Sequence, residues 1–185
     1  ERQELSGLLD RARAEAKTPA KIPHELFTVL ADARLTERAF EHLEAGLPPS
    51  QALERLAAES ARMLAAHGPA SRRALEVEAF VGGVAQRYTD ADRDPLRKGE
   101  LMVGVQLSGL VALRGWARGA VGALCAAPAE ESPGIALLDA LGLPAICDLR
   151  SLFDRIHNGD KIALDADTGA VTVNPSVAQV ASLRK

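Results

Sequence analysis

The stretch of sequence that decides the fold is residues 143–175, LPAICDLRSLFDRIHNGDKIALDADTGAVTVNP. Its first five residues, LPAIC, are a short apolar run that predicts a buried strand, and a brief helix is expected after it. Residues 161–165 and 170–174 alternate apolar with polar side chains, and an Asp-Thr-Gly turn at 167–169 joins them. This pattern predicts an antiparallel β-hairpin that follows the strand.

The residues before this stretch alternate between two patterns. Residues 100–106 and 119–126 are typical of buried strands, whereas residues 108–116 and 133–141 favour helices, and residues 128–131 form a loop between them. Strands that alternate with helices predict a partly parallel sheet covered by helices.

The first 90 residues carry a helical pattern. Apolar residues recur at helical spacing and are interrupted by proline and glycine, which predicts four or five amphipathic helices packed as antiparallel hairpins in a bundle. Gly82 and Gly83 interrupt one of them, and a close helix crossing or a bend explains them better than phosphate binding. The predicted helices cover residues 1–17, a segment opened by Pro23, a stripe at 35–43, a helix capped by Ser50 that ends near residues 68–69, and a helix capped by Ser71 that runs toward Tyr88.

The composition limits the partners that the chain can have. Its net charge is −3, with acidic and basic residues interspersed, so binding to nucleic acid or to an anionic membrane is not expected. No apolar run approaches the ~20 residues of a membrane span, and a cytoplasmic protein is expected. Cys125 and Cys147 lie in apolar settings without CxxC spacing, which favours buried free thiols over a metal site or a disulfide framework.

Two parts of the sequence resemble known proteins. LPAI and NGDKIALDADTGAVTVNP resemble the close of the phosphohistidine domain of PEP-utilising enzymes, and are most similar to the N-terminal half of enzyme I of the sugar phosphotransferase system. More weakly, HELFTVLADARLTERAFEHLEAG and PPSQALERLAAESARML resemble the helical subdomain through which enzyme I docks its phosphocarrier partner, HPr. The last third of the chain therefore carries the most specific motifs.

The resemblance implies a mixed α+β and α/β architecture, in which a helical bundle precedes a β/β/α phosphohistidine domain of the swivelling type. Residues 1–90 would be the bundle, residues 91–99 a charged linker, residues 100–175 the phosphohistidine-like domain and residues 176–185 the start of a C-terminal linker helix. The family also has a strand before its helical subdomain. The chain starts at Glu1, inside a helical pattern and without methionine, so we expect a longer parent protein. Either that protein supplies the strand upstream, or this sheet has one strand fewer than those of the family.

The family's phosphate-accepting histidine sits at the start of the helix that leads into the LPAI strand, in a Ser-His-Thr-Ser pattern. An ungapped match puts Ser132 on the family's serine and Pro133 on its histidine. Proline cannot accept phosphate, so the resemblance implies a degenerate phospho-acceptor site without a catalytic residue.

The residues around this position still favour a helix N-terminus. Ser132 is predicted to be the N-cap and Pro133 the first helical residue, while Gly134 is expected to leave the backbone accessible to an anion. Plain capping by Ser132 is favoured over its phosphorylation, because no general base lies nearby in the sequence. Glu130 and Glu131 either mimic a phosphorylated state or, in the favoured interpretation, are ordinary helix-start acids.

The candidate docking segment departs from the family as well. Enzyme I has an acidic segment where this chain has Asp32, Ala33 and Arg34, so one charge is lost and another is reversed. Glu78 likewise stands where the family has an arginine. If opposite charges steer docking, an HPr-like phosphocarrier should bind this surface weakly.

The chain has four histidines, and none of them pairs with another ligand at metal-binding spacing: His24, His42, His67 and His157. No metal and no cofactor is therefore expected.

Three functions remain open from the sequence. The favoured one is a degenerate enzyme I-like module that acts as a regulatory or protein-interaction domain of a larger protein. The alternative is an active PEP-dependent phosphotransferase component whose acceptor is displaced to another residue. A purely structural spacer or dimerisation module is the third, and the sequence leaves the oligomeric state and the partner unspecified.

Overall fold

The first half of the fold is helical. The computed structural model describes residues 1–65, 72–88 and 96–183, so the predicted boundaries at residues 68–69 and at Ser71, and residues 91–95 of the predicted linker, lie outside it. A short 3-10 turn, Pro19–Lys21, follows the first helix. The helices of this half are α1 (Arg2–Glu15), α2 (His24–Ala31), α3 (Ala33–Glu44), α4 (Pro49–Ala65) and α5 (Arg72–Tyr88).

These helices agree with the predicted amphipathic segments except at one start. Ser50 was expected to cap α4, but the helix already begins at Pro49, and Ala52 N donates to Pro48 O at 2.9 Å. Proline suits the first position of a helix because its fixed φ matches the helix and its missing N–H would have no partner there. The predicted Ser50 cap is therefore wrong.

Strands and helices alternate in the second half, as predicted. The sheet has the order β1-β2-β3 and all its described pairs are parallel, whereas β4 and β5 form a separate antiparallel hairpin in which Ile162 faces Val173. The elements are β1 (Leu101–Gly104), α6 (Gly109–Ala117), β2 (Gly122–Cys125), α7 (Pro133–Leu141), β3 (Ala145–Ile146), α8 (Leu152–Arg155), β4 (Ile162–Asp165), β5 (Ala170–Val173) and α9 (Val177–Leu183).

One face of the sheet is covered by helices. A single apolar cluster extends from Leu5 and Leu9 of α1 through Leu26 of α2 to Met102 of β1 and Leu137 of α7. Burial of such side chains contributes roughly 1.5–3 kcal/mol each. The core therefore runs without interruption from the helical half into the sheet, and the division into subdomains at residues 91–99 stays a prediction.

The first helix packs on the second half of the chain. The guanidinium of Arg11 lies 4.3 Å from the ring centroid of Trp116 in α6. Beyond α1, Lys17 N donates to Ala140 O at 2.7 Å, which ties the chain to the end of α7. The sequence predicted α1 as part of the helical bundle. In the structure, α1 and the residues after it also contact α6 and α7, the helices that cover the sheet.

The other face of the sheet carries a smaller apolar cluster. Leu124 and Ile146 are buried there with Leu152 of α8, and hairpin residues Ile162 and Leu164 pack against them. The predicted hairpin of residues 161–174 thus covers part of the second face of the sheet.

Ser60 in α4 is a buried polar residue whose hydroxyl has no hydrogen-bond partner among the described residues. We expect Ser60→Ala to raise the free energy of unfolding by about 1 kcal/mol, because it removes an unsatisfied hydroxyl and improves helix propensity. Urea titration measures the change. Ser108→Ala is the matched control, since Ser108 is equally buried but its Oγ accepts from Val111 N at 3.0 Å, and that variant should lose about 1 kcal/mol. A loss of stability in Ser60→Ala would contradict the prediction.

Candidate functional site at the start of α7

The predicted degenerate site lies at the edge of the sheet where its parallel strands end. β2 ends at Cys125, a 3-10 turn follows at Ala129–Glu131, and α7 begins at Pro133 as predicted. The carboxyl ends of parallel strands are where α/β folds bind ligands. The residues that the resemblance singles out therefore occupy a position suited to a binding site.

Ser132 holds the N-cap position, but its side chain does not cap the helix. The residue is completely buried, and its Oγ accepts from the backbone N–H of Leu107 at 3.4 Å. The same hydroxyl lies beside the thiol of Cys125, where it acts to lower the pKa of that thiol. The prediction of a side-chain cap is wrong, because the hydroxyl points inward to the loop after β1.

Gly134 is buried, so the expectation of an accessible backbone at this position is also wrong. Its N–H donates to Leu107 O at 2.8 Å, and the N–H of Ile135 donates to Ser132 O at 2.9 Å. A Cβ added at Gly134 would lie 2.6 Å from Ser108 O. The loop after β1 thus takes the Gly134 amide, and the Ile135 amide bonds within the turn, so neither N–H group is open to bind a phosphate.

The two acids before the helix are exposed and make peripheral contacts. The Glu131 carboxylate accepts from Gln106 Nε2 at 3.2 Å, and the backbone carbonyl of Glu130 accepts from Arg72 Nε at 3.0 Å. A groove of about 700 Å³ lies beside them, lined among others by Arg72, Ile135 and Leu143. The start of α5 therefore reaches the loop that precedes α7.

The candidate docking residues include one partly buried ion pair, between Asp32 and Arg73. Asp32 ends α2 and caps α3, with Oδ1 accepting from Arg34 N at 3.1 Å, and its Oδ2 accepts from Arg73 Nη2 at 2.6 Å. Arg2 Nη2 also donates to Asp32 O at 2.8 Å. The hydrogen bond from the Arg34 side chain is the main cause that lowers the pKa of Asp32. Asp32 is thus bound within the protein, whereas Ala33 and Arg34 are exposed.

Sequence reasoning missed a buried carboxylate, that of Glu76 in α5. It is completely buried and accepts hydrogen bonds from the backbone N–H groups of Gly109 and Leu110, the latter at 2.8 Å. Burial raises its pKa to about 7, while these two donors act in the opposite direction. The sequence could have indicated the burial of Glu76, because this residue stands four positions before Phe80, on the buried stripe of α5.

A second polar contact lies between α5 and α6. Arg114 forms an ion pair with Glu1, and its Nη1 donates to Ala79 O at 3.1 Å. A Cβ added at Gly83 would collide with the Arg114 guanidinium, whereas one at Gly82 would meet nothing within 4 Å. Gly83 therefore lies against a side chain of α6, and the helix crossing or bend expected at Gly82 and Gly83 stays a prediction.

The histidines have other neighbours. His42 Nε2 lies 3.1 Å from Glu59 Oε2 across α3 and α4, and His157 Nδ1 lies 3.8 Å from Asp160 Oδ2 beside the hairpin. His24 begins α2, and His67 lies outside the described residues. Within the described ranges, no group of three or more His, Cys, Asp or Glu side chains could hold a metal ion.

Two known structures have a similar fold. An NMR solution structure of Enzyme I is similar with a TM-score of 0.62 and 15% identity, covering 99% of this chain and 77% of that one. A structure described as "N-terminal domain of Enzyme 1 - Nitrogen" is similar with a TM-score of 0.54 and 22% identity, covering 100% of this chain and 82% of that one. No family model and no curated protein matches the sequence.

The whole chain therefore has the fold of the N-terminal domain of Enzyme I, a mixed arrangement of helices and sheet. Both likenesses extend over the helical half as well as the α/β half, where the specific sequence motifs lie. Separately, none of the helices in the described residues is both long enough and apolar enough to cross a membrane.

Proposed function

We propose that this chain is a phosphotransferase-system module that carries no phosphate itself and acts as a regulatory or interaction domain. The whole-chain likeness to Enzyme I structures supports the first part. The observation that carries the second is Pro133, completely buried as the first residue of α7, where the resemblance places the phospho-acceptor histidine. The two free cysteines support a cytoplasmic location, which belongs to the same proposal.

The surroundings of Pro133 support the loss of phosphate transfer. The Ser132 hydroxyl is buried and hydrogen bonded, so it cannot meet a phosphoryl donor in line. The amide of Gly134 is occupied by Leu107 O. Glu130 and Glu131 add negative charge beside the helix start, which disfavours a phosphoryl group there.

Exposed apolar side chains support a role in protein binding. Phe40 and Leu43 lie three residues apart on α3 and are 58% and 37% exposed, so they share one face of that helix. Aromatic and aliphatic anchors of this kind dominate the free energy of protein interfaces. Arg34, 76% exposed at the start of the same helix, carries a positive charge where the resemblance implies an acidic residue, so it would weaken the docking of an HPr-like phosphocarrier.

A phosphotransfer assay tests the proposal. The chain is incubated with labelled PEP and the barrel domain of an enzyme I, or with phosphorylated HPr, and acid-labile label is measured. We expect no label on this chain, while an active enzyme I N-terminal domain becomes labelled in parallel. Label on this chain would favour the displaced-acceptor alternative, and His24→Gln, His42→Gln, His67→Gln and His157→Gln variants would identify the acceptor.

Restoring the acidic segment should strengthen docking. The double variant Ala33→Glu, Arg34→Glu is expected to bind an HPr-type phosphocarrier about tenfold more tightly than the unmodified chain at low salt, because opposite charges then face each other. Calorimetric titration at low and high salt measures the affinity. Arg155→Glu, which adds an acid on α8 in the other half of the chain, is the control and should leave the affinity unchanged. Equal affinity of the double variant and the unmodified chain would contradict the charge argument.

A further inference from the structure

Two cysteines come together where β2 and β3 end. β2 closes with Cys125, and Cys147 directly follows β3. In the parallel register Leu124 is paired with Ile146, the last residue of β3, so Cys125 and Cys147 each come one residue after that pair. Neighbouring strands lie about 4.8 Å apart, and a disulfide needs Cα atoms roughly 4.4–6.8 Å apart. This strand spacing, one residue beyond the Leu124–Ile146 pair, falls within the range that a disulfide needs.

Both thiols lie on the same face of the sheet. Successive side chains of a strand point to opposite faces. Leu124 and Ile146 belong to the cluster under the hairpin, whereas Cys125 belongs to the helix-covered cluster and Cys147 packs against it. The two thiols also interact electrostatically, because a negative charge on Cys147 raises the pKa of the Cys125 thiol.

We propose that Cys125 and Cys147 form an intramolecular disulfide when the protein meets a hydroperoxide, which makes the pair an oxidation-sensitive site beside Ser132. Both cysteines are free in the structure, Cys125 buried and Cys147 partly exposed. This inference stands on the cysteine geometry and does not rest on the proposed function.

The reaction begins at Cys147, because it is the accessible thiol of the pair. Cys147 loses its proton to solvent, its thiolate attacks the hydroxyl oxygen of the peroxide, and the O–O bond breaks. The other oxygen takes up a proton from solvent and leaves as alcohol or water, so that Cys147 becomes a sulfenic acid. The Cys125 sulfur then attacks the Cys147 sulfur, the S–O bond breaks, and the Cys125 proton leaves with the hydroxyl as water. The two sulfurs together lose two electrons, and the peroxide gains them.

The surroundings set the rate of this reaction. Burial raises the pKa of Cys147, and it raises the pKa of Cys125 to about 11. Because the thiolate is the nucleophile, the rate should rise about tenfold for each pH unit from neutral pH toward pH 9. When the bond forms, Cys125 gives up its contact with the Ser132 hydroxyl, and the segment 126–146, which contains α7, becomes a closed loop.

The test uses the complete chain, freed of reductant and treated with hydrogen peroxide at several pH values between about 7 and 9. We expect the intact mass to fall by two hydrogen atoms, both cysteines to become protected from alkylation together, and a cross-linked peptide that contains Cys125 and Cys147. The protein should remain monomeric on a non-reducing gel. The midpoint of thermal unfolding should rise by about 5–10 °C and return on reduction, because the closed loop restricts the unfolded chain.

Two variants sharpen the test. In Cys147→Ser, peroxide should leave the buried Cys125 alkylatable and the unfolding midpoint unchanged. In Cys125→Ser, Cys147 should proceed to the sulfinic acid, because no resolving thiol faces it. The proposal is overturned if the unmodified chain keeps two alkylatable thiols after treatment at pH 9, or if Cys147 over-oxidises while Cys125 stays reduced.

Discussion

Replacing Glu76 by glutamine is expected to remove most of the pH dependence of stability between about pH 5 and pH 8. The carboxyl group is completely buried and holds the N-terminus of α6 through Gly109 and Leu110. Burial raises its pKa to about 7 from an ordinary value of 4.5, with the charge of Glu25 on α2 acting in the same direction and that of Arg114 on α6 opposing it.

The sign follows from proton binding. Between pH 4.5 and pH 7 the folded chain binds the Glu76 proton more tightly than the unfolded chain does. The corresponding stabilisation, roughly 3 kcal/mol, is therefore complete below the unfolded pKa and is lost as the pH rises through the folded one. Asp32 acts in the opposite direction, because its lowered pKa gives stability that is lost on acidification below its ordinary value of 3.8. The pH range in which Glu76 affects stability therefore does not overlap with the pH range in which Asp32 affects it.

Urea titrations at pH 5, 6, 7 and 8 measure this effect. At low pH the Glu76→Gln variant should be less stable than the unmodified chain by about 1–2 kcal/mol, because one amide oxygen replaces two acceptors. As the pH rises, the difference should shrink, since only the unmodified chain then carries a buried charge. Glu78→Gln, two residues further along α5 and exposed, is the control and should keep the full slope. A slope in Glu76→Gln equal to that of the unmodified chain would refute the assignment.

Gly134→Ala should destabilise the protein by about 3 kcal/mol. The added Cβ would lie 2.6 Å from Ser108 O and 2.9 Å from Leu107 O, both backbone atoms, so relief requires the loop after β1 to move away from α7. That movement would also break the bond from Gly134 N to Leu107 O and weaken the contact of Ser132 Oγ with Leu107 N. Chemical denaturation and hydrogen exchange of the Leu107 amide would detect both effects.

Gly82→Ala is the matched control for this substitution. Gly82 is exposed within α5, and a Cβ there would meet nothing within 4 Å. The same chemical change should therefore stabilise the protein by about 1 kcal/mol through helix propensity alone. If Gly134→Ala were as stable as Gly82→Ala, the close approach of α7 to the loop after β1 would be disproved.

Local signals predicted much of the fold. The bounds of α7 agree with the sequence, because Pro133 suits the first position of a helix and Gly142, at φ 73°, ends it in a left-handed conformation. The hairpin likewise followed from alternation on both sides of the turn, where Gly169 has a φ of 71°. Each of these features depends on residues within a few positions of one another.

The sequence predicted where the candidate site lies along the chain, but not which hydrogen bonds its side chains make. Ser132 was placed at the correct position, yet its hydroxyl bonds to Leu107 N, 25 positions away, and not to its own helix. Glu76 lies on the apolar stripe of α5, which indicated its burial, but its carboxylate bonds to Leu110 N, 34 positions away, so its role could not be deduced from neighbouring residues. Both bonds form only because separate elements are packed together.

The sequence by itself determined the order of helices and strands, the hairpin, and the start of α7 at a proline. These features depend on turn residues and apolar periodicity, which act over short stretches of sequence. The tertiary structure decided which amides of α7 are covered, where the Glu76 carboxylate is buried and how close Cys125 comes to Cys147. These depend on the packing of elements far apart in sequence, which brings a donor and an acceptor together only when the whole core has formed.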